Sequence, residues 1–438
     1  MLYELWRQTA NVLSDQPALH DADSGRRWTF RELFAAGHAW SESPGKVDAM
    51  AFPQGHSPEF ILAVLAAWHA RRVVCPLESG QVAPAIPQPP AACAHLKFTS
   101  ATTGAPRWVA FTAAQLKADA DNIVATMGLR PDWPNLGVIS MAHSYGFSNL
   151  VLPLLLHGIP LVLARSPLPE AVRLAAESEK AVTLPAVPAL WRAWHEAGAI
   201  PPAVRLAISA GAPLPLNLER AVSGSRGLKI HNFYGSTECG GIAYDSSETP
   251  RTDENCAGCP LMNVTARVGD GGCLEVYGAN VGETYWPEPA TQLLGNGRFQ
   301  TSDLAEFREG RIHLLGRAGD VINVAGRKVS PEIIERALRR HPRVRDCVVL
   351  GVESRAAGRA EEIVVVVASQ ETEQNLREFA LKALPVWQVP RDWWFVKELE
   401  TDARGKVSRS KWRQRFLARG SRRSQNSEVA ADVRRRNP

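Results

Sequence analysis

A large α/β body followed by a small α+β domain is the fold class this sequence predicts, and three observations carry it. Short β-prone runs alternate with helical patterns through most of the chain. Beyond Arg317 the pattern changes to hairpins and a few helices. The 438 residues, 45% hydrophobic and 22% charged, supply ample core for two or three globular domains.

The elements follow in order. Val47 to Phe52 reads as a strand. Ser57-Pro58-Glu59 then supplies an N-cap, a proline at the first helical position and an early acid, opening a helix to about Ala70. Arg72 to Pro76 is the next strand. Strand-like runs recur at Gly137 to Met141, Leu161 to Leu163, Val182 to Leu184, Arg205 to Ser209 and Lys229 to Phe233. Helical patterns lie between them, so the strands build sheets covered by helices. Ala305 to Phe307 and Arg311 to Leu315 alternate around Glu309-Gly310 as a hairpin. A helix over Pro331 to Arg340, strands over Val344 to Val352 and Ile363 to Ala368, and a helix over Gln374 to Leu384 complete the small domain.

Composition excludes several classes. A membrane-spanning helix needs ~20 unbroken apolar residues. The nearest stretch, Leu150 to Ala164, is interrupted by Pro153, His157, Gly158 and Pro160. The start, Met1-Leu-Tyr-Glu-Leu-Trp-Arg, lacks the basic and apolar regions of a signal peptide, so a cytoplasmic location is expected. The net charge of +5 is local: residues 411–438 hold nine Lys/Arg against two Asp/Glu, a net of +7 that leaves −2 for the rest. That argues against a nucleic-acid partner and for a basic, disordered tail over 416–438. Seven cysteines, an odd number, read as reduced thiols. Cys256-Ala-Gly-Cys259 has metal-ligand spacing, with Cys239 and Cys273 nearby. It leaves two readings, a zinc site or small buried side chains, and the apolar strand pattern around Cys273 favours the second.

Three separated segments carry chemistry: Phe98-Thr-Ser-Ala-Thr-Thr-Gly-Ala-Pro-Arg107, Asn232-Phe-Tyr-Gly-Ser-Thr-Glu238 and Thr301-Ser-Asp303, followed by Gly316-Arg317 and Gly405-Lys406. The run from Thr99 to Gly104 offers hydroxyls and unencumbered backbone N–H groups, which suit a polyphosphate. No Gly-Lys-Ser/Thr closes it, so it is not a Walker loop.

In these motifs, from about Pro17 to about Arg409, the chain resembles the adenylate-forming (AMP-binding) superfamily of acyl- and aryl-CoA ligases and stand-alone adenylation domains. That family's loop usually reads Thr-Ser-Gly-Ser/Thr-Thr-Gly-x-Pro-Lys-Gly. Thr99, Ser100, Thr102, Thr103, Gly104 and Pro106 match it, whereas Ala101, Arg107 and Trp108 depart from it. Arg107 keeps the positive charge on a planar fork rather than a compact ammonium. The segment between Leu77 and this loop is short and rich in Pro and Ala, so the first subdomain looks abbreviated.

The resemblance implies ATP and Mg2+ as cofactors and assigns roles by position. Glu238 would be the Mg2+ carboxylate, Thr237 would contact the α-phosphate, and Tyr234 with Gly235 would cover the adenine. Ala210, Gly211 and Ala212 would wall the nucleotide and acyl pockets. Asp303, assisted by Arg317, would accept from the ribose hydroxyls, and Lys406 would bridge the carboxylate and the α-phosphate. His143, in Met141-Ala-His-Ser-Tyr-Gly146, would lie near the substrate carboxylate and the incoming thiol. Val324-Ala-Gly326 resembles the strand lining the pantetheine tunnel, and Gly319 stands at the family's swivel. The implied domains are 1–317, a mobile 318–415 and the tail. No aspartate for a substrate ammonium is seen, so a small aliphatic or aromatic acid is expected. The acceptor would be CoA or a separate phosphopantetheine carrier protein, and the enzyme a monomer or homodimer. A rival reading, an adenylation-impaired nucleotide-binding protein, is motivated by Ala101, Arg107 and Trp108. Retention of Glu238, Asp303 and Lys406 together speaks against it.

Overall fold

A computed structural model describes residues 1–41, 49–99, 107–164, 166–354, 361–400 and 407–419. The chain forms two compact units, Met1–Thr301 with Ala305–Leu314, and Ser302–Leu304 with Leu315 onward. The division thus falls inside the strands Arg298–Arg308 and Arg311–Arg317.

Among the described residues the first unit contains two sheets. In the larger, Leu161–Leu163, Asn135–Gly137, Val182–Ala186, Val204–Ser209 and Ile230–Ser236 run parallel as neighbours. Most of their residues are buried on both faces, the condition that favours continuous Val, Leu and Ile runs over strict alternation. The sheet then turns antiparallel through Gly240–Tyr244 and Cys256–Pro260. In the smaller sheet Met50–Ala51, Val73–Val74 and Cys93–Thr99 are parallel, and Arg107–Thr112 and Thr284–Trp286 add antiparallel edges. One apolar core joins both sheets through Phe60, Phe111, Phe147, Trp191 and Trp194.

Local chemistry accounts for several element ends. Pro58–His69 begins at Pro58 after Ser57, although no side-chain bond from Ser57 caps it. Ala113–Met127 starts on a full capping box, with Thr112 and Gln115 satisfying each other's backbone N–H, and ends on Gly128 at φ +65°. The strand expected over Gly137 to Met141 ends instead at Gly137. The chain must fold back there: a Cβ on Gly146 would lie 2.0 Å from the Ser140 carbonyl oxygen, which only a glycine permits. Between Leu77 and Cys93 there is no helix or strand. Cys256 is buried while Cys259 is exposed on the same strand, so the two sulfurs do not share one face. Among the described residues no cluster of three or more His, Cys, Asp or Glu is arranged to hold a metal, and no helix is long and apolar enough to cross a membrane.

In the second unit Val344–Glu353 pairs antiparallel with Glu361–Ser369, which runs parallel to Asp392–Val396. Both faces of this sheet are apolar. Val349, Val365 and Val367 pack with Ile334, Leu338, Leu376 and Ala380 of helices Pro331–Arg339 and Glu373–Ala383. Val348, Leu350, Val364 and Val366 meet Trp412 and Phe416 on the opposite face. Those aromatics are four residues apart on a helix over 409–419, so helical structure runs through 416–419, where a disordered tail was expected; residues 420–438 lie outside the described residues. Gly319 sits in the 3₁₀ turn Ala318–Asp320.

Candidate active site

The parallel strands of both sheets carry the site's residues just past their carboxyl ends. Gly137 leads to Ser140 and His143, Ser209 to Ala210–Ala212, and Ser236 to Thr237 and Glu238. In the smaller sheet Ala51 leads to His56, Val74 to Glu78, and Thr99 to the phosphate loop. Crevices outside strand carboxyl ends are where open α/β sheets bind ligands. Here side chains tie the two sets of ends together. His56 donates from Nε2 to the Gly137 carbonyl over 3.0 Å. Glu78 Oε1 accepts from His143 Nε2 at 2.9 Å and from the Ser140 hydroxyl at 2.6 Å. The bond from His143 holds the Glu78 carboxyl below its ordinary range, with Ser140 adding to it against the opposing effect of burial.

Ser100, Thr102, Thr103 and Gly104 lie outside the described residues, but the mouth of their loop is defined. Thr99 and Arg107 are cross-strand partners, and the Thr99 hydroxyl donates to the Arg107 carbonyl over 3.0 Å. The Arg107 guanidinium lies over the Tyr285 ring at 4.2 Å, and the Tyr285 hydroxyl donates to Glu238 Oε1 over 3.1 Å. Burial, followed by the neighbouring Glu238 carboxylate, pushes the Tyr285 phenol well above its usual range and keeps it a donor. A path of two contacts therefore runs from Arg107, at the end of the expected phosphate loop, to the expected metal carboxylate.

Glu238 itself sits in the turn joining Ile230–Ser236 to Gly240–Tyr244. Gly282 donates its N–H to the Glu238 carbonyl over 2.8 Å, and Asn280 Nδ2 donates to the Cys239 carbonyl over 2.6 Å. A Cβ on Gly235 would stand 2.5 Å from the Gly240 carbonyl oxygen, so this turn tolerates no side chain there. Beneath it lies a buried charge pair. Asp119 Oδ1 accepts the Gly241 N–H at 3.0 Å, while Oδ2 accepts the Ser148 hydroxyl at 2.6 Å and stands 3.6 Å from Lys97 Nζ. Lys97 is two residues ahead of Thr99 on the strand feeding the loop. Burial lowers its ammonium's pKa, and Asp119 opposes that effect.

Ala210 is buried and donates its N–H to the Ala186 carbonyl over 3.1 Å. Gly211, at φ +85°, is exposed, and Ala212 is half-buried. Arg251 fixes the far end of this wall, donating to the Leu214 carbonyl over 2.7 Å and to Glu219 over 2.9 Å. Tyr234 is half-buried on its strand, and the ring of its neighbour Phe233 lies tilted 5.9 Å from that of Tyr145, two residues beyond His143. This contact brings the strand that leads to Glu238 beside the segment that carries His143.

The remaining site residues belong to the second unit. Arg317 Nε donates to Asp303 Oδ1 over 3.1 Å. Gly326 is not on a strand, as expected, but at the tip of a two-residue hairpin: Ala325 and Gly326 take φ +51° and +84°, the geometry of a type I′ turn. Lys406 lies outside the described residues. Three residues later Arg409 is anchored by Asp320, by Glu335 at 2.8 Å, by Glu332 at 3.1 Å and by the Val349 carbonyl at 3.0 Å.

Glu78, Lys97, Asp119 and Tyr285 are site residues that sequence reasoning missed. Asp119 follows the Thr112/Gln115 capping signature on its helix, and that signature was legible; the others have no local signal. The residues present fit a nucleotide triphosphate with magnesium, since the Glu238 oxygens are hard donors and Gly211 is exposed and carries no side chain.

A profile of the AMP-binding enzyme family matches residues 78–290, and one of the AMP-binding enzyme C-terminal domain matches 333–406. Among curated relatives, a feruloyl-CoA synthase of Amycolatopsis is 28% identical over 344 residues, covering 73% of this chain and 69% of that protein. A probable 2-succinylbenzoate–CoA ligase of Mycobacterium tuberculosis is 30% identical over 346 residues, covering 73% and 83%. Among solved structures, the o-succinylbenzoate CoA synthetase of Bacillus subtilis, in complex with its acyl-adenylate intermediate, superposes with a TM-score of 0.82 at 22% identity over 93% of this chain and 97% of that one. MatB of Rhodopseudomonas palustris, with ATP bound, gives 0.82 at 21% over 95% and 99%. These two establish the shared fold.

Proposed function

This chain belongs to the AMP-binding enzyme family, and from that premise we propose how its residues divide an AMP-forming acid–thiol ligation. The enzyme activates a carboxylic acid with ATP to an acyl adenylate, releasing pyrophosphate, and then passes the acyl group to a thiol. The observation that carries this reading is the Arg107–Tyr285–Glu238 path, which couples the mouth of the phosphate loop to a carboxylate held in a braced turn.

In the first half-reaction the loop residues Thr99, Ser100, Thr102, Thr103 and Gly104 bind the polyphosphate, with Arg107 supplying charge at the loop's end. Glu238 would hold Mg2+, which supplies electrostatic stabilisation of phosphate charge when bound. Thr237 orients the α-phosphate, Tyr234 and Gly235 border the adenine, and Ala210–Ala212 form the wall. Asp303, steadied by Arg317, receives the ribose hydroxyls. Lys406 places its charge where the acid's carboxylate attacks the α-phosphorus. Arg409, three residues later, is held by Glu335 and Glu332.

The acid is a plain carboxylate without an amine, because no aspartate stands in the His143 segment to receive an ammonium. The Val324–Gly326 hairpin serves the thiol, which is CoA or the phosphopantetheine of a separate carrier. Because Lys406 and this hairpin belong to one domain and serve different half-reactions, the domain over 318–415 turns about Gly319 between them. A cytoplasmic monomer or homodimer fits this role. Exchange of labelled pyrophosphate into ATP, across a panel of aliphatic, aromatic and amino acids that includes ferulate and 2-succinylbenzoate, tests the reading. Exchange with a plain acid is expected; no exchange with any acid overturns it.

A further inference from the structure

Glu78 and His143 are far apart in sequence, yet they pair across the crevice between the two sheets. Each follows a parallel strand of a different sheet, and their contact at 2.9 Å leaves the two side chains 39% and 33% exposed rather than sealed in the core. The carboxylate is held in place a second time by the Ser140 hydroxyl at 2.6 Å. Ser140 and His143 are locked on one short turn by the close approach at Gly146. The groups facing Glu78 are His143, Ser140 and His56; His56 is committed to the Gly137 carbonyl.

We propose, resting on the ligase reading above, that Glu78 positions His143 to take the proton of the acceptor thiol in the second half-reaction. Glu78 accepts the Nε2–H of His143, which leaves Nδ1 with a free lone pair. The thiol proton moves to Nδ1. The sulfur forms its bond to the acyl carbonyl carbon as the bond from that carbon to the phosphate oxygen breaks, and AMP leaves with the electron pair. Glu78 stays ionised and stabilises the imidazolium until its proton returns to solvent. His143 is then the catalytic residue and Glu78 a positioning residue. The low-lying pKa of the Glu78 carboxyl agrees with its staying ionised.

The test separates the half-reactions. The wild-type enzyme is first screened for pyrophosphate exchange, and the acid giving the fastest exchange is converted chemically to its acyl adenylate. Thioester formation from that adenylate is followed with pantetheine, the arm common to CoA and to a carrier's prosthetic group. Glu78→Gln and His143→Gln should each slow this step by about 10²-fold at neutral pH, a larger loss than either causes in exchange. The double variant should be no worse than either single one, since the two act as a unit. The deficit should shrink as pH rises and the thiol ionises unaided, which lost packing alone would not produce. Ser140→Ala, which keeps the pair, should lose less than tenfold. Equal losses in both half-reactions, or a deficit unchanged by pH, overturn the proposal. Absence of exchange in the wild type would instead overturn the ligase reading itself.

Discussion

The Tyr285 hydroxyl donates to the Glu238 carboxylate over 3.1 Å while the Arg107 guanidinium covers the Tyr285 ring at 4.2 Å. One phenol therefore links the residue expected to hold magnesium with the residue that replaces the family's usual loop lysine. A hydrogen bond to a charged group is worth about 1.5–3 kcal/mol, or roughly 10- to 100-fold. Tyr285→Phe should lower pyrophosphate exchange by about that factor at limiting Mg2+ and by less at saturating Mg2+. A variant with wild-type magnesium dependence would show that the phenol does not set the carboxylate.

Lys97 and Asp119, almost fully buried beneath the Glu238 turn, make a second prediction. Removing one partner of a buried pair leaves an uncompensated charge and costs about 3–5 kcal/mol, whereas replacing both with apolar residues is often near neutral. Lys97→Met should strongly lower the urea midpoint of unfolding, and Lys97→Met with Asp119→Leu should recover part of it. The double variant still lacks the acceptor for the Gly241 N–H, so its exchange activity should stay low even where its stability returns.

Lys406→Ala should reduce exchange by about 10²- to 10³-fold while leaving ATP affinity within a few-fold, because its charge is needed where negative charge gathers in the transition state. Equilibrium binding of ATP measured beside exchange separates the two. An exchange rate within tenfold of wild type would remove the lysine from the chemical step.

Stability of the second unit should depend on acid through Glu335. Burial raises this carboxyl's pKa, but Arg409 and Arg339, with the Val349 N–H, outweigh that and hold it below the ordinary value. A carboxyl depressed in the folded state contributes stability that is present above its unfolded pKa of ~4.3 and is lost as pH falls through the folded value. Glu335→Gln should therefore raise amide exchange in Val344–Glu353 at pH 7. The difference from wild type should narrow as pH drops below about 4.

Local chemistry written in the sequence set the alternation of strands and helices, the helix start at Pro58 and the small domain's sheet. Each of these depends on neighbours within a few residues: periodicity, caps, turn residues and exposed backbone N–H groups. It also set which residue types stand at the positions of an adenylate-forming enzyme, which made Glu238, Asp303 and Arg317 candidates. Only the tertiary structure decided that Glu78 meets His143, that Tyr285 meets Glu238, and that a lysine in a strand is neutralised from a helix by Asp119. Those partners are 65, 47 and 22 residues apart; the first two pairs are joined where elements of the two sheets meet, and the third where a helix packs on a strand. The hairpin tip at Gly326 and the helix over 409–419 were likewise decided by pairing and by Trp412 and Phe416 finding an apolar sheet face, which no local pattern announces.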